Sequence, residues 1–159
     1  MLRLVLSILI AFVILKLTTL GWQDFSPRVH ELSPKDKTLP SRLEKHVIKL
    51  SYYIGERSIF NYPQLVEAAN YITEQFKNFG LEVEFQEYSL YGKPVKNIIA
   101  KKQGKEKPDE IIIMGAHYDT CFNPGADDNA SAIAGLLELA RFIAVQEHAR
   151  TVRFIAFVN

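Results

Sequence analysis

The sequence has 159 residues, of which 48% are hydrophobic, and a formal net charge of +1. This length and hydrophobic share suffice for one modest domain with a core, while the balanced charge gives no reason to expect binding to nucleic acid. The single cysteine, Cys121, excludes an internal disulfide, so cysteine usage does not identify the cellular compartment.

The first 22 residues form a separate apolar unit. A short basic start precedes an uncharged apolar run at residues 4–15, and the segment then reaches Trp22, an aromatic residue typical of membrane interfaces. Because no A-x-A-like cleavage site follows, we predict that residues 1–22 are a signal anchor or transmembrane helix. A cleaved signal peptide, which would make the protein secreted, is the first alternative and a buried helix the second. An anchor or a signal peptide would place the remaining chain outside the cytoplasm, in a periplasmic, extracellular or lumenal compartment.

Residues 23–40 are polar and contain three prolines, at Pro27, Pro34 and Pro40. This composition predicts a linker. The domain itself is expected to occupy residues 41–159.

Two amphipathic helices are predicted at the start of this domain. Ser41 is a good cap for the first helix, whose apolar stripe consists of Leu43, Val47, Leu50 and Ile54. The turn Gly55-Glu56-Arg57-Ser58 would end that helix. A second helix is expected to begin near Pro63 and to end at Gly80, with an apolar stripe of Leu65, Ala69, Ile72, Phe76 and Phe79. We expect both helices to pack on the core without a catalytic role, with His46 at the edge of the first stripe.

Three strands should follow the helices. Residues 81–88 alternate apolar and polar side chains, residues 95–101 form a second strand after a turn, and residues 111–114 are a β-branched apolar run. The short connections favour antiparallel neighbours at the margin of a sheet. The run at residues 111–114 is expected to be a buried strand that is covered on both faces.

The segment after this third strand carries the residues most suited to chemistry. His117 and Asp119 stand where the strand ends, and the turn Asn123-Pro124-Gly125 leads to Asp127-Asp128-Asn129. Taken singly, the acids read as helix caps or solvated side chains. An imidazole and several carboxylates brought together by a strand end and its loop suit a divalent cation, with zinc the first choice, and Asp119 could order the imidazole.

A helix and a strand complete the predicted topology. Apolar residues recur at helical spacing from about Asn129 to Gln146, with Glu138 expected on the surface, and residues 151–158 form another apolar strand. A strand, helix and strand in this order form a right-handed crossover, which makes the last strand parallel to the third and returns it to the edge that carries His117. The chain is therefore predicted to be α/β with a mixed sheet.

At these residues the sequence resembles the dizinc aminopeptidases, the co-catalytic zinc exopeptidases that include bacterial leucyl aminopeptidases. The resemblance rests on the motifs GAHYDT at residues 115–120 and PGADDNAS at residues 124–131. It implies a three-layer αβα fold in which His117 binds one zinc ion, Asp128 bridges two, and Asp119 supports His117. It also implies a cis peptide bond between Asp128 and Asn129.

The same resemblance implies residues that this chain does not contain. In the family a pair of glutamates, one the general base and one a zinc ligand, follows the strand after the metal-loop helix, and an Asp and a His ligand come later. The sequence stops at Asn159, near the start of that pair, and holds two of the five expected ligands. We therefore expect a fragment whose domain is truncated after that strand and which is inactive alone.

The resemblance implies a zinc-dependent aminopeptidase that hydrolyses peptides with water activated by two zinc ions, with the peptide and the membrane as its partners. Two alternatives stay open, namely a glutaminyl-cyclase-like acyltransferase and a non-catalytic ectodomain that acts as a binding module. Nothing in the sequence indicates an oligomeric state or a preference for particular substrate residues.

Overall fold

The structure, a computed structural model, describes residues 37–158. Among these residues, three helices and four strands occur in the order α1 (Leu39–Ile48), α2 (Tyr62–Asn78), β1 (Glu82–Leu90), β2 (Lys93–Lys102), β3 (Lys107–His117), α3 (Ser131–Ala144) and β4 (Arg150–Phe157). A π-helical segment, Lys49–Ile54, continues α1, and a short interrupted turn, Ala126–Ala130, precedes α3. The second predicted helix and its terminal glycine are confirmed, since Gly80 has a φ of +77° directly after α2.

The four strands form one mixed sheet in the order β1-β2-β4-β3. β2 is antiparallel to both β1 and β4, whereas β3 and β4 are parallel. The α/β fold with a mixed sheet and the strand-helix-strand crossover are thus confirmed. The expectation that β2 and β3 are neighbours is wrong, because α3 returns the chain so that β4 lies between them. The connection from β2 to β3 instead passes the start of β4, where the amide of Lys105 donates to the carbonyl of His148.

The core lies where the helices pack on the two central strands. Fully buried residues on the strands are Ile98, Ala100, Phe154 and Ala156, and those on the helical side include Leu50, Ile72, Phe76 and Leu137. The rings of Phe76 and Phe154 join the two sets, with centroids 6.4 Å apart. The apolar stripes predicted from the helical periodicity therefore face the core.

The strand β3 is much more exposed than its apolar sequence predicts. Ile111, Ile112 and Ile113 are 45%, 41% and 60% exposed. The prediction of a strand covered on both faces is wrong for the described residues, where β3 is an edge strand that pairs only with β4 and leaves this run exposed on both faces. The apolar run indicated a strand correctly, but its position in the sheet depends on pairing with β4.

The helices are joined by a buried polar cluster that the sequence did not indicate. Glu138 was expected on the surface, yet it is only 5% exposed. Its carboxylate lies 2.7 Å from Arg42 Nε, 2.9 Å from Arg141 Nε and 3.4 Å from His46 Nε2. His46, which was expected at an edge, is buried, and its Nδ1 lies 2.6 Å from the hydroxyl of Tyr71. A carboxylate is tolerated inside this layer because cationic side chains from α1 and α3 surround it.

Most of the predictions for the amino-terminal segment concern residues that lie outside residues 37–158. The predicted anchor at residues 1–22 and the first part of the predicted linker, residues 23–36, lie outside the described residues. Leu39 and Pro40, predicted as the end of the linker, are already helical, and Ser41 lies inside α1 rather than capping it. Within residues 37–158, no helix combines the length and the apolar composition that crossing a bilayer requires. The anchor therefore stays a prediction.

Candidate metal centre

His117 is fixed by the end of β3. It stands opposite Phe157 in the parallel register with β4. The amide of Tyr118 donates to the carbonyl of Phe157 over 2.8 Å, so regular pairing extends one residue past His117. The imidazole therefore lies on a paired strand, and the loop that leads to Asp128 begins after Tyr118.

The structure brings His117 and Asp128 together. Nε2 of His117 lies 2.9 Å from Oδ1 of Asp128, and the two side chains are 42% and 80% exposed. Asp128 lies where the turn before α3 departs from helical geometry, with φ −113° and ψ 92°. The peptide bond between Asp128 and Asn129 is cis, as the resemblance implied.

Asp119 faces the other ring nitrogen of His117. Nδ1 of the imidazole lies 3.2 Å from the carbonyl oxygen of Asp119 and 3.4 Å from its Oδ1. Both atoms are acceptors, so this side of the ring favours the tautomer in which Nδ1 carries the proton. In that tautomer Nε2 presents a lone pair to a carboxylate, and two acceptors at this distance need a proton or a cation between them.

The chemistry and spacing of this pair fit zinc. Imidazole nitrogen and carboxylate oxygen are both common zinc donors, and at bond lengths of about 2.0–2.1 Å two ligands of a tetrahedral ion lie about 3.3 Å apart. His117 Nε2 and Asp128 Oδ1, which lie 2.9 Å apart, would therefore need to separate only slightly to bind the same zinc ion. Among residues 37–158, however, no group of three or more His, Cys, Asp or Glu residues is arranged to hold a metal. The described residues offer a pair of donors, and the roles of His117, Asp119 and Asp128 at a metal stay predictions.

The carboxylate of Asp119 affects the pKa values of two nearby side chains, Tyr88 and Arg57. Burial raises the pKa of the Tyr88 phenol, and the neighbouring carboxylate of Asp119 raises it further. Burial also lowers the pKa of Arg57 to about 10, although Asp119 opposes this change. Arg57 remains cationic at neutral pH, so a buried positive charge lies near the carboxylate of Asp119.

Arg57 holds the loop between the two candidate ligands, a role that the sequence did not reveal. The residue is 0% exposed. Its guanidinium donates to five carbonyl oxygens, those of Tyr118 (2.8 Å), Leu50 (2.7 Å), Gly55 (2.8 Å), Pro124 (2.8 Å) and Gly125 (3.1 Å). In the sequence, its place in a Gly-x-Arg turn was the only local signal, and such a turn reads equally well as an exposed helix end.

The backbone around Arg57 is tied to the same loop. The amide of Thr120 donates to the carbonyl of Arg57, and the amide of Arg57 donates to the Thr120 hydroxyl, each over 2.9 Å. Farther along, the Asn123 side chain accepts from the amide of Gly125 over 2.7 Å, which closes the turn before Asp128. The loop is therefore held from below by Arg57 and internally by Asn123.

One known protein family matches the part of the chain that carries these residues. Residues 97–159, which include β3, the loop and β4, match peptidase family M28. The sequence-based resemblance to the dizinc aminopeptidases is confirmed. This M28 segment contains His117, Asp119 and Asp128.

The curated relatives of this chain include a probable zinc metalloprotease and an aminopeptidase. The chain is 38% identical over 164 residues to the protein YfbL of Escherichia coli K12, with 96% of this chain and 50% of that protein aligned. It is 36% identical over 74 residues to a probable zinc metalloprotease of Pyricularia oryzae, covering 40% of this chain and 15% of that one. It is 42% identical over 64 residues to the aminopeptidase YwaD of Bacillus subtilis, covering 39% and 14%. The chain thus spans about half the length of YfbL and less of the other two.

Two solved structures match the fold equally well. A leucine aminopeptidase precursor from Bacteroides thetaiotaomicron superposes with a TM-score of 0.62 at 25% identity, covering 76% of this chain and 46% of that one. A glutaminyl cyclase from the same organism superposes with a TM-score of 0.62 at 25% identity, covering 76% and 45%. Fold likeness alone therefore does not separate peptidase from cyclase chemistry.

Proposed function

We propose that this chain is part of a zinc-dependent exopeptidase, acting as an aminopeptidase on peptides. One observation carries the proposal: Nε2 of His117 faces the Asp128 carboxylate at 2.9 Å, while Asp119 acceptors hold the opposite ring nitrogen. An M28 match and relatives named as a zinc metalloprotease and an aminopeptidase support it.

In this proposal the residues of the chain have distinct tasks. Through Nε2, His117 would hold one zinc ion, the Asp128 carboxylate would serve as a ligand of the two-ion site, and Asp119 would keep the imidazole proton on Nδ1. Zinc bound at such a site lowers the pKa of a water molecule and polarises a carbonyl group. The pair at the strand end thereby fixes where water and substrate would meet.

The described residues alone are proposed to be inactive. Zinc sites use about four ligands, and residues 37–158 bring together only a pair of candidate donors. The remaining ligands and the general base would come from further residues of a longer protein. A purified chain of this length should not hydrolyse aminoacyl reporter substrates, and zinc-dependent turnover by such material would contradict that expectation.

The test compares His117→Ala and Asp128→Asn with Asp127→Asn in the protein at its natural length. Asp127 is an exposed acid next to Asp128 and serves as the matched control. We expect the first two changes to lower aminopeptidase kcat/KM at least about hundredfold and to reduce bound zinc, because each removes a donor. Asp127→Asn should leave both unchanged. Full turnover and zinc content in the Asp128→Asn protein would refute the assignment.

A cyclase is the second candidate, because a glutaminyl cyclase superposes as well as an aminopeptidase does. Both activities can be measured on one preparation. Release of an aminoacyl reporter group indicates the peptidase, whereas release of ammonia from peptides with amino-terminal glutamine, without peptide cleavage, indicates the cyclase.

We also propose that residues 1–22 anchor the domain to a membrane, with the M28 segment on the non-cytoplasmic side. The apolar run at residues 4–15 and the absence of a cleavage motif after it support this. Fractionation of cells that express the natural protein tests it. Recovery in the soluble cytoplasmic fraction would exclude the anchor.

A further inference from the structure

We propose that Arg57 is the positioning residue of the metal centre, which fixes the distance between His117 and Asp128 by holding both ends of the loop that joins them. This inference rests on the proposed function, since it assumes that the two side chains share a cation. It assigns no contact between Arg57 and the metal or the substrate.

The contacts of Arg57 fall on the two places that set this distance. Nε donates over 2.8 Å to the carbonyl of Tyr118, the residue directly after His117. Nη1 and Nη2 donate over 2.8 and 3.1 Å to the carbonyls of Pro124 and Gly125, which lead into the turn that carries Asp128. One rigid planar group therefore links the backbone beside both candidate ligands.

The guanidinium is suited to this task in a way that an ammonium is not. Its donors leave a plane in fixed directions, and here they meet five carbonyl oxygens from separate parts of the chain, with the two N–H groups of Nη1 shared among three of them. An ammonium concentrates its three donors at one point and cannot reach all of these acceptors. Arg57→Lys keeps the charge but should release some of the carbonyls that position the loop.

The loop also approaches Arg57 more closely than a side chain would allow. A methyl group added to Gly125 would lie 2.9 Å from Nη2 of Arg57 and 2.4 Å from the carbonyl oxygen of Asp128. The backbone of the loop therefore lies directly on the guanidinium. A shift of the guanidinium would therefore move the turn that carries Asp128.

A purely structural role predicts a different result. If Arg57 only stabilised the fold, its replacement would lower resistance to unfolding while folded molecules bound zinc normally. If Arg57 positions the ligands, zinc affinity falls in molecules that are still folded. Zinc affinity and the stability of the metal-free protein are therefore measured separately.

The experiment uses Arg57→Lys and Arg57→Ala in the protein at its natural length, with Arg150→Lys as control. Arg150 is about half exposed and pairs with Glu110 on the surface. Zinc affinity is measured by competition with a chromophoric chelator, and folding by circular dichroism and urea unfolding without metal. We expect both Arg57 variants to lose about ten- to hundredfold in zinc affinity while the folded fraction stays above nine tenths, as for residues that orient metal ligands. Arg150→Lys should bind zinc like the wild type.

Chemical rescue and a milder variant sharpen the result. Added guanidinium chloride at millimolar concentration should restore zinc affinity to Arg57→Ala, which leaves a cavity of the right shape, but urea at the same concentration should not. If both Arg57 variants fail to fold, Thr120→Val decides, because it removes only the hydroxyl that accepts from the Arg57 amide. Thr120→Val should then bind zinc at least about twofold more weakly, and wild-type affinity in this variant would overturn the inference.

The outcomes also separate this inference from the proposed function. If zinc binding by the wild-type protein does not depend on His117, the proposed function itself fails and the positioning role falls with it. If binding depends on His117 but folded Arg57→Lys protein binds zinc as tightly as the wild type, only the positioning role is refuted.

Discussion

The imidazole of His117 meets the carboxylate of Asp128 at 2.9 Å, although a whole loop separates the two residues in the chain. His117 is carried by a paired strand and Asp128 by the turn before α3. The approach of these side chains therefore depends on the course of the loop backbone, and changes that disturb this course should affect the candidate metal centre first.

Gly125→Ala should disturb the loop most strongly. Gly125 has a φ of +58°, and a methyl group there would lie 2.2 Å from Thr120 Cγ2 and 2.4 Å from the carbonyl of Asp128. We expect a loss of more than about 2 kcal/mol in the free energy of unfolding, measured with urea, because strain and overlap add. Gly80→Ala is the control, since its φ is +77° but a methyl group there would meet open space. It should cost only about 1 kcal/mol; equal costs for the two changes would contradict the assigned overlap.

Glu138→Gln should destabilise the helical layer by about 1–3 kcal/mol at pH 7, because it removes a buried carboxylate that accepts from Arg42 and Arg141. Burial alone would raise the pKa of Glu138, but the hydrogen bonds from the two arginines outweigh it and lower the pKa below its ordinary value. A carboxylate of this kind stabilises the fold above its unfolded pKa and loses that contribution as the pH falls through its folded pKa. The difference between variant and wild type should therefore shrink below about pH 4. Glu67→Gln, which changes a surface pair with Lys49, should have little effect at any pH.

His46→Gln should make stability less sensitive to mild acid. Burial lowers the pKa of His46, although the carboxylate of Glu138 opposes the change. Between the unfolded and folded pKa values the unfolded chain binds more protons, so wild-type stability falls as the pH falls through this window. Urea unfolding at about pH 7 and about pH 5 should show a smaller loss in the variant than in the wild type. His148→Gln is the control, and an identical loss in His46→Gln and wild type would contradict the buried neutral state.

Tyr91→Asn should stabilise the hairpin between β1 and β2. Tyr91 and Gly92 have φ values of +48° and +75°, the left-handed pair that two-residue hairpin turns require. Asparagine adopts this conformation more readily than tyrosine, so we expect a gain of about 0.5–1 kcal/mol in the free energy of unfolding. Tyr91→Phe should show no gain, because its backbone preference is that of tyrosine. A destabilised Tyr91→Asn protein would indicate that the exposed ring makes contacts that outweigh the turn.

The secondary-structure elements that carry the site could be predicted from the sequence because they are consecutive in the chain. A strand that ends at His117, a turn and a helix follow one another directly, and the crossover rule fixes the direction of β4. These facts suffice to bring His117 and Asp128 to one edge of the sheet. The motifs and the family resemblance supplied the choice of Asp128 over Asp127.

The features that the sequence did not reveal depend on distant parts of the chain. Glu138 reads as a surface residue because nothing near it in sequence shows that Arg42 will lie beside it. Arg57 reads as part of a turn because its acceptors are backbone carbonyls, which every residue possesses. Among residues 37–158, the edge position of β3 follows from the place of β4 in the sheet, which no local pattern determines.

The outer edge of β3 has a practical consequence for work with a chain of this length. Ile111, Ile112 and Ile113 form a β-branched run on a strand whose far side has no neighbour among residues 37–158. Such an edge is a template on which strands of other molecules can add, and uncharged runs of this kind promote aggregation. Concentrated solutions of the isolated chain should therefore turn cloudy with time, and a lysine in place of Ile113, its most exposed isoleucine, should keep them clear.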